Sequence, residues 1–288
     1  MKESKKISMA AAGALLIHLI VTMAARLLLE QFFGDGTAYL IFYIVSSSAI
    51  VAASYFTFKL LCKRMNCADI PQKNTRRLPA SVCVAIVFFV GFLIYLCGFL
   101  YALLFPSSDS ATVPEAGNVF ECILFFAAHA VVPTVAEEIL FRGCFTRRFL
   151  IFGRLSAVIF SSLLFALAHF SFSSFPFMFI SGIVIASAYL YSEKIIVPMG
   201  IHFVNNFLCC IMSLLSARMP EGRFSIFAAA FNISIAVITV ILGIILLTTS
   251  KKPQREKSTD GSLAYEFITP AMVIYFICAF LMHFVYGG

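Results

Sequence analysis

Residues 118–145 read NVFECILFFAAHAVVPTVAEEILFRGCF, which places two adjacent carboxylates and an arginine at the end of a long apolar run. The carboxylates belong to Glu137 and Glu138, and the arginine is Arg142. A charged side chain near the centre of a membrane helix costs at least about 2.5–3.5 kcal/mol. Charges kept in such a position therefore indicate an ion pair or a functional site.

The composition of the whole chain is that of a membrane protein. Of its 288 residues, 61% are hydrophobic and only 12% are charged, and the mean hydropathy is +0.98. Soluble domains are about half apolar and about a quarter charged. A soluble core cannot absorb this surplus of apolar surface, so the sequence predicts a polytopic membrane protein in contact with the lipid bilayer.

Apolar runs of about 20 residues, the length that crosses about 30 Å of hydrocarbon, recur along the chain. They predict an all-α bundle of about eight or nine membrane helices, forming a single membrane domain over 1–288 with a catalytic core at 118–216. The fifth and sixth runs are short and are separated by SFSSFP, so a broken or re-entrant pair is the alternative there. The predicted spans are 8–29, 38–61, 79–105, 118–141, 155–171, 175–192, 195–216, 225–249 and 268–286.

Charged residues in the loops predict the orientation. The net charge of +7 comes from basic residues before the first span and after the second, fourth and eighth, whereas the loops after the first and third spans are acidic. Positive loops stay in the cytoplasm, so we expect a multi-pass protein of the cell membrane with a cytoplasmic N-terminus, retained as an anchor, and no nucleic-acid partner. The basic residues are Lys2, Lys5, Lys6, Lys59, Lys63, Arg64, Lys73, Arg76, Arg77, Arg147, Arg148, Arg154, Lys251, Lys252, Arg255 and Lys257; the acidic ones are Glu30, Asp35, Asp109 and Glu115.

The spacing of the charges in 118–145 predicts different tasks for the two carboxylates. Glu138 and Arg142 are four residues apart and can pair on one helix face. Glu137 points about 100° away on a regular helix and has no cation at pairing distance. We therefore expect a Glu138–Arg142 pair that holds the helix and a Glu137 carboxylate that faces the interior of the bundle.

Three more polar residues lie at helical spacing in later spans. His169 follows Phe165 by four residues, and Asn206 follows His202 by four. Small residues around Gly182 and Gly200 predict close helix approach nearby. The other histidines have no polar companion at helical spacing and are interpreted as packed residues: His18, His129 and His283.

The residue types limit the chemistry. The sequence has no HExxH and no GxSxG motif, and its nine cysteines form no CxxC pair, which disfavours a disulfide framework or a zinc ribbon. An unpaired buried glutamate can act as a general base toward water, and a neighbouring histidine can share that water or help to bind a metal. His202 and Asn206 can donate hydrogen bonds to a developing oxyanion. The set favours hydrolysis of an amide by activated water.

Three motifs in this order resemble a known family. The sequence contains EExxxR (Glu137, Glu138 and Arg142), FxxxH (Phe165 and His169) and HxxxN (His202 and Asn206). The chain is similar over about 118–216 to the CPBP family of intramembrane proteases, which includes the CAAX-prenyl endoproteases and the Abi proteins of bacteriocin processing and immunity. Outside that region, the resemblance is that of generic membrane helices.

The resemblance implies a role for each matching residue. Glu137 and His169 would activate the attacking water, His202 and Asn206 would stabilise the oxyanion, and Glu138 and Arg142 would support the site. It also implies a peptide or a prenylated, membrane-associated protein as substrate. Both a divalent metal such as zinc and a metal-free glutamate mechanism are compatible with the family.

Two other functions are compatible with the same residues. One is a transporter that uses Glu137 and the histidines as a proton or ion relay, although such proteins often show repeated halves and the sequence shows none. The other is a catalytically silent scaffold or immunity protein. A further tension concerns depth: His169 would lie about 20 Å into the fifth span, deeper than Glu137, unless that helix is broken, tilted or starts inside the protein.

Overall fold

The computed structural model describes residues 1–33, 36–68, 78–105, 119–249 and 265–286. Within these ranges the chain forms nine helical segments and no strand, so the predicted all-α bundle is confirmed. The helices are α1 (Glu3–Phe32), α2 (Gly36–Arg64), α3 (Ala80–Leu104), α4 (Val119–Phe152), α5 (Arg154–Leu167), α6 (Phe175–Ser192), α7 (Ile196–Ser216), α8 (Glu221–Thr249) and α9 (Pro270–Tyr286).

Seven of the described helices are long and apolar enough to cross a membrane, namely α1–α4 and α6–α8. The other two, α5 and α9, are apolar but shorter. The predicted span 155–171 was too long: α5 ends at Leu167, and His169 and Phe170 lie in the turn that follows. With 14 residues, α5 is about 21 Å long, short of about 30 Å of hydrocarbon. The shortness of α5 favours the broken-pair alternative, whereas α6 is long enough to cross a membrane; the path of 155–192 relative to the membrane stays a prediction.

His169 lies in a tight turn between α5 and α6. Phe170 adopts a left-handed backbone with φ of 51°, and α6 then packs back along α5 as a helical hairpin. Since α4 continues to Phe152 instead of ending near 141, Glu137 and His169 lie equally many residues from the adjoining ends of α4 and α5 and meet at one level, which resolves the tension over depth.

The basic segments meet at one end of the bundle. Arg148, near the end of α4, donates a hydrogen bond to the carbonyl of Ala68 after α2, and Glu3 at the start of α1 accepts one from the Ala68 amide. Lys2 pairs with Glu266 just before α9. This clustering is what the charge pattern predicts for a cytoplasmic end; which side of the membrane it faces stays a prediction.

Several residues of the charge argument lie outside the described ranges. These are Asp35, Lys73, Arg76, Arg77, Asp109, Glu115, Lys251, Lys252, Arg255 and Lys257, and the side chains of Glu30 and His283 are also outside. The predicted division into one membrane domain with a core at 118–216 also stays a prediction.

An aromatic core packs between the site and the basic end. Phe141, Phe145 and Phe149 follow one another at four-residue spacing along α4 and are buried. Phe267, before α9, packs its ring edge against Phe149 with centroids 5.3 Å apart. Membrane helices associate through van der Waals packing and hydrogen bonds, so this column fixes α4, which carries Glu137 and Glu138, against its neighbours.

Candidate active site

Glu137 faces His169 across the gap between α4 and the α5–α6 turn. The Nε2 atom of His169 lies 3.9 Å from Oε2 of Glu137. The other ring nitrogen, Nδ1, lies 2.8 Å from the Phe165 carbonyl oxygen. A carbonyl oxygen can only accept, so Nδ1 carries the hydrogen and donates it. The Nε2 atom is therefore free to accept a hydrogen bond or a proton next to the Glu137 carboxylate.

Glu138 is the centre of a buried chain of three charged or polar groups. Its Oε1 atom lies 3.0 Å from Nη1 of Arg142 and 2.9 Å from Nδ1 of His202. The side chains of Glu138 and Arg142 are 0% and 1% exposed. The pair of Glu138 with Arg142 that the spacing predicted is present. The contact with His202, which joins α4 to α7, was not predicted.

The position of Arg142 is fixed on two further sides. Its guanidinium carbon lies 4.4 Å from the centre of the Phe165 ring, and Nη2 lies 3.4 Å from the Gly182 carbonyl oxygen. A buried cation needs such partners because desolvation alone makes it strongly unfavourable. Arg142 therefore ties α4 to both helices of the hairpin.

Phe165 packs at the centre of the site. Its ring centroid is 4.7 Å from that of His169 and 6.0 Å from that of His202, both edge-on. Together with the Arg142 contact, these packings make Phe165, which is 2% exposed, a common wall for the two histidines. The phenylalanine of the FxxxH motif thus sets the distance between His169 and His202.

Gly182 allows the hairpin to close. A Cβ atom at this position would lie 3.1 Å from Cβ of Ser162 and 3.3 Å from Cδ1 of Phe165. At Gly200 of α7, a Cβ atom would lie 2.9 Å from Val87 of α3. The close helix approach predicted at both glycines is confirmed.

The helix that carries the carboxylates is not a regular α-helix. Ala127–Val131 and Glu138–Thr146 are π-helical, a conformation that occurs mostly as short turns at functional sites. The regular geometry assumed for this stretch was therefore wrong. The two carboxylates still face different neighbours, His169 for Glu137 and Arg142 with His202 for Glu138.

One cavity brings four of the predicted site residues together. Its volume is about 200 Å³, and its walls include Glu137, His169, His202 and Asn206. Glu138 and Arg142 are not among the lining residues; Glu138 contacts His202, and Arg142 contacts Glu138. A second cavity, of about 220 Å³, lies on the α1 and α2 side and shares Tyr43, Pro133, Glu137 and His169 with the first.

His129 also lines the first cavity. The sequence predicted only a packed histidine at this position. Its ring lies between Tyr43 and Phe125, with centroids 4.9 and 4.8 Å away, and its Nε2 atom is buried without a hydrogen-bond partner among the described residues. His129 precedes Glu137 by eight residues, slightly more than two turns of a regular α-helix. The π-helical turn at 127–131 adds a residue to the first of these turns and brings the two closer to one face. The eight-residue spacing from Glu137 was the feature of the sequence that could have placed His129 at the site.

His18 behaves as the sequence predicted, with one addition. It is 8% exposed, and its Nδ1 atom lies 3.2 Å from Oγ of Ser54, as expected of a packed, hydrogen-bonded histidine. It also lines the second cavity.

The described side chains do not form a complete metal site. Catalytic zinc is usually held by three protein ligands, and no group of three or more His, Cys, Asp or Glu side chains in the described residues is arranged to hold a metal ion. Glu137 and His169 supply two potential ligands at this cavity. The metal-dependent and metal-free alternatives both stay open, and the chemistry below is derived from the chain's own groups.

Comparison with known proteins identifies this region. Residues 119–208 match the family model described as Type II CAAX prenyl endopeptidase Rce1-like, which confirms the resemblance seen in the motifs. The match contains Glu137, Glu138, Arg142, His169, His202 and Asn206. Searches among curated proteins and among solved structures found no match to this chain.

Proposed function

We propose that this chain, whose residues 119–208 form an Rce1-like domain of the type II CAAX prenyl endopeptidases, is an intramembrane endopeptidase. Its substrate would be a peptide or a prenylated, membrane-associated protein, cut near the cytoplasmic face. The observation that carries the proposal is the 3.9 Å pair of Glu137 and His169 on the same cavity as His202 and Asn206.

The pair is suited to hold one water molecule. Two acceptors 3.9 Å apart can each receive a hydrogen from the same water at ordinary hydrogen-bond distances of about 2.8 Å. Because His169 already donates through Nδ1, its Nε2 atom accepts. With both hydrogens directed at Glu137 and His169, the lone pairs of the water oxygen are left for attack on a carbonyl carbon.

Two other residues that line the cavity, His202 and Asn206, are suited to receive the carbonyl oxygen. Nδ1 of His202 donates to the Glu138 carboxylate, so Nε2 can donate to an oxyanion only when the ring is an imidazolium. The side-chain amide of Asn206 supplies a second donor in the same cavity.

The proposed reaction conserves its atoms and protons. Glu137 takes a proton as the water oxygen forms a bond to the carbonyl carbon, and the carbonyl oxygen becomes an oxyanion facing His202 and Asn206. The tetrahedral species then collapses, the C–N bond breaks, and Glu137 passes the proton to the leaving amine. The new carboxylic acid then releases its proton, which the amine takes up, so the products are a carboxylate and an ammonium group.

Cleavage by purified protein tests this function. A peptide library that includes prenylated peptides is incubated with the protein in detergent, beside Glu137→Ala, with and without a chelator. Library cleavage that disappears in Glu137→Ala supports the proposal. Loss of cleavage with chelator, restored by added metal, assigns the metal-dependent mechanism, and unchanged cleavage assigns the metal-free one.

The two alternative functions predict different results. A protein that cleaves nothing but carries protons or ions across the membrane of proteoliposomes in a Glu137-dependent way is a transporter. A protein that does neither is a scaffold or an immunity protein. Either result would overturn the proposed endopeptidase.

A further inference from the structure

Asn205 and Asn206 are neighbours on α7, and their side chains contact each other. Nδ2 of Asn205 donates to Oδ1 of Asn206 at 3.0 Å, and both residues line the first cavity. Adjacent residues on a helix point about 100° apart, so this contact requires both carboxamides to turn toward the same space.

The contact fixes which end of the Asn206 amide can serve the cavity. A carboxamide has one accepting oxygen and two donor hydrogens on nitrogen. With Oδ1 of Asn206 occupied by Asn205, the Nδ2 group is left as the donor toward the cavity. A developing oxyanion needs such a donor and is repelled by a carbonyl oxygen.

In the orientation that makes this contact, the side-chain oxygen of Asn205 is left without a described hydrogen-bond partner. Its Oδ1 atom is buried and has no hydrogen-bond partner among the described residues, which costs free energy for a buried polar atom. An asparagine that served only to join helices would place its amide against another helix. The described hydrogen bond of the Asn205 side chain goes instead to the neighbouring residue on its own helix.

We propose that Asn205 is a positioning residue for the oxyanion site, which holds the Asn206 carboxamide with its NH₂ group toward the substrate. The proposal rests on the proposed endopeptidase function, because it assigns Asn205 a role in that reaction. Asn205 acts through Asn206 and does not itself contact the reacting atoms. It occupies a variable position of the HxxxN motif and supplies a link that the fixed residues of the three motifs lack.

The first test compares kcat and KM of Asn205→Leu with those of the wild type. Without the donor, the Asn206 amide loses its fixed orientation, so kcat falls by at least about tenfold but less than the ~10²–10³-fold typical of losing an oxyanion donor itself. KM changes little, because the interaction matters mainly in the transition state. Asn205→Gln, which keeps a carboxamide donor, retains more activity than Asn205→Leu.

The matched control is Asn232→Leu. Asn232 is a buried asparagine on α8 whose Nδ2 atom donates to the Ala228 carbonyl and whose Oδ1 atom also lacks a partner in the described part of the chain. It is not among the residues that line the first cavity. Its substitution leaves kcat unchanged, so equal kcat values for Asn205→Leu and Asn232→Leu would overturn the proposal.

A double-mutant cycle separates positioning from an independent role. In an Asn206→Ala background, Asn205→Leu has no further effect on kcat, because the group it orients is gone. Multiplicative effects would show that Asn205 acts without Asn206 and would overturn the proposal. If Asn205→Leu does not fold, Asn205→Ala replaces it in both comparisons.

Experimental structures of the wild type and of Asn205→Leu test the positioning role of Asn205 even if no peptide is cleaved. Absence of cleavage by the wild type removes the endopeptidase function, but the orientation of Asn206 can still be compared between the wild type and Asn205→Leu. A displaced Asn206 carboxamide in the variant supports the positioning role. An unchanged side-chain conformation refutes it, whatever the activity.

Discussion

Glu138 and His202 lie 64 residues apart in the chain and are joined by a hydrogen bond of 2.9 Å deep inside the bundle. Since the carboxylate also pairs with Arg142 at 3.0 Å, it links a buried cation to a histidine on the cavity wall. Glu138 therefore does more than pair with Arg142. Its hydrogen bond occupies Nδ1 of His202 and leaves Nε2 for a substrate.

Replacing Glu137 by glutamine is expected to abolish cleavage and to leave the fold intact. The amide has nearly the same shape as the carboxylate but cannot take a proton from water. The measurement is the cleavage rate together with the melting temperature in detergent. The control is Glu121→Gln at the other end of α4, where Glu121 accepts a hydrogen bond from Thr37; this variant should cleave normally. Normal cleavage by Glu137→Gln would exclude Glu137 as the base.

Replacing Glu138 by glutamine is expected to lower the free energy of unfolding. The change leaves Arg142, which is 1% exposed, without its counter-charge, and breaking a buried ion pair in this way costs about 3–5 kcal/mol. Thermal unfolding in detergent measures the loss, and a cleavage assay of the fraction that folds is expected to show partial activity. A Glu138→Gln protein that is fully stable but inactive would reverse the roles assigned to the two glutamates.

Gly182→Ala is expected to destabilise the hairpin and slow cleavage. The new methyl group would lie 3.1 Å from Cβ of Ser162, and overpacking of this kind costs about 1–3 kcal/mol. The displacement also moves the carbonyl that contacts Arg142. Gly222→Ala is the control, because nothing lies within 4 Å of a Cβ at that position. Equal melting temperatures for the two variants would contradict the close approach.

The Lys2–Glu266 contact predicts an acid-sensitive component of stability. Hydrogen bonds from Lys2 and Ser4 hold the pKa of Glu266 below its ordinary value of 4.5. The folded protein therefore binds fewer protons at this carboxyl than the unfolded chain. The contribution is complete above pH 4.5 and is lost as the pH falls through the lower folded pKa.

Melting temperatures measured in detergent from neutral to acidic pH test this expectation. The wild type should be more stable than Glu266→Gln at neutral pH, and the difference should disappear in acid. A variant of the exposed Glu221 serves as the comparison. A pH-independent difference between the wild type and Glu266→Gln would show that packing, and not the ionised carboxylate, is responsible.

The topology can be tested at a position outside the described residues. Basic residues in 62–78 outweigh the single Asp69, so the positive-inside rule places this loop in the cytoplasm. Lys73→Cys, in a background without the native cysteines, should react with a membrane-impermeant maleimide only after permeabilisation. Asp109→Cys, in a loop predicted to be external, should react in intact cells. Labelling of position 73 from outside would invert the topology.

The helices could be predicted from sequence because long apolar runs have few alternatives in a membrane. Predicted starts and ends agree with α2, α3, α6 and α7 to within a few residues. The end of α5 at Leu167 was not predicted, because residues 165–170 are apolar except for His169. An apolar run gives no signal where the chain turns. The left-handed backbone at Phe170 is a property of the packed hairpin.

The motif spacing predicted part of the site for a similar reason. A contact within one helix, such as Glu138 with Arg142, follows from a four-residue separation. The contact of Glu138 with His202 depends on how α4 and α7 pack, and the π-helical turns depend on the surrounding helices as well. His129 was missed because one π-helical residue changes which side chains share a face.

Tyr43 lies on α2, outside residues 119–208, yet it lines both cavities. Residues 119–208 therefore do not enclose the two cavities by themselves. If this segment were moved into another protein, it would keep its motif residues and lose the part of each cavity wall that Tyr43 supplies. A chimaera that exchanges this segment between two proteins must therefore carry the matching second helix with it. The motif residues alone therefore do not determine the shape of the cavities, because part of the lining comes from α2.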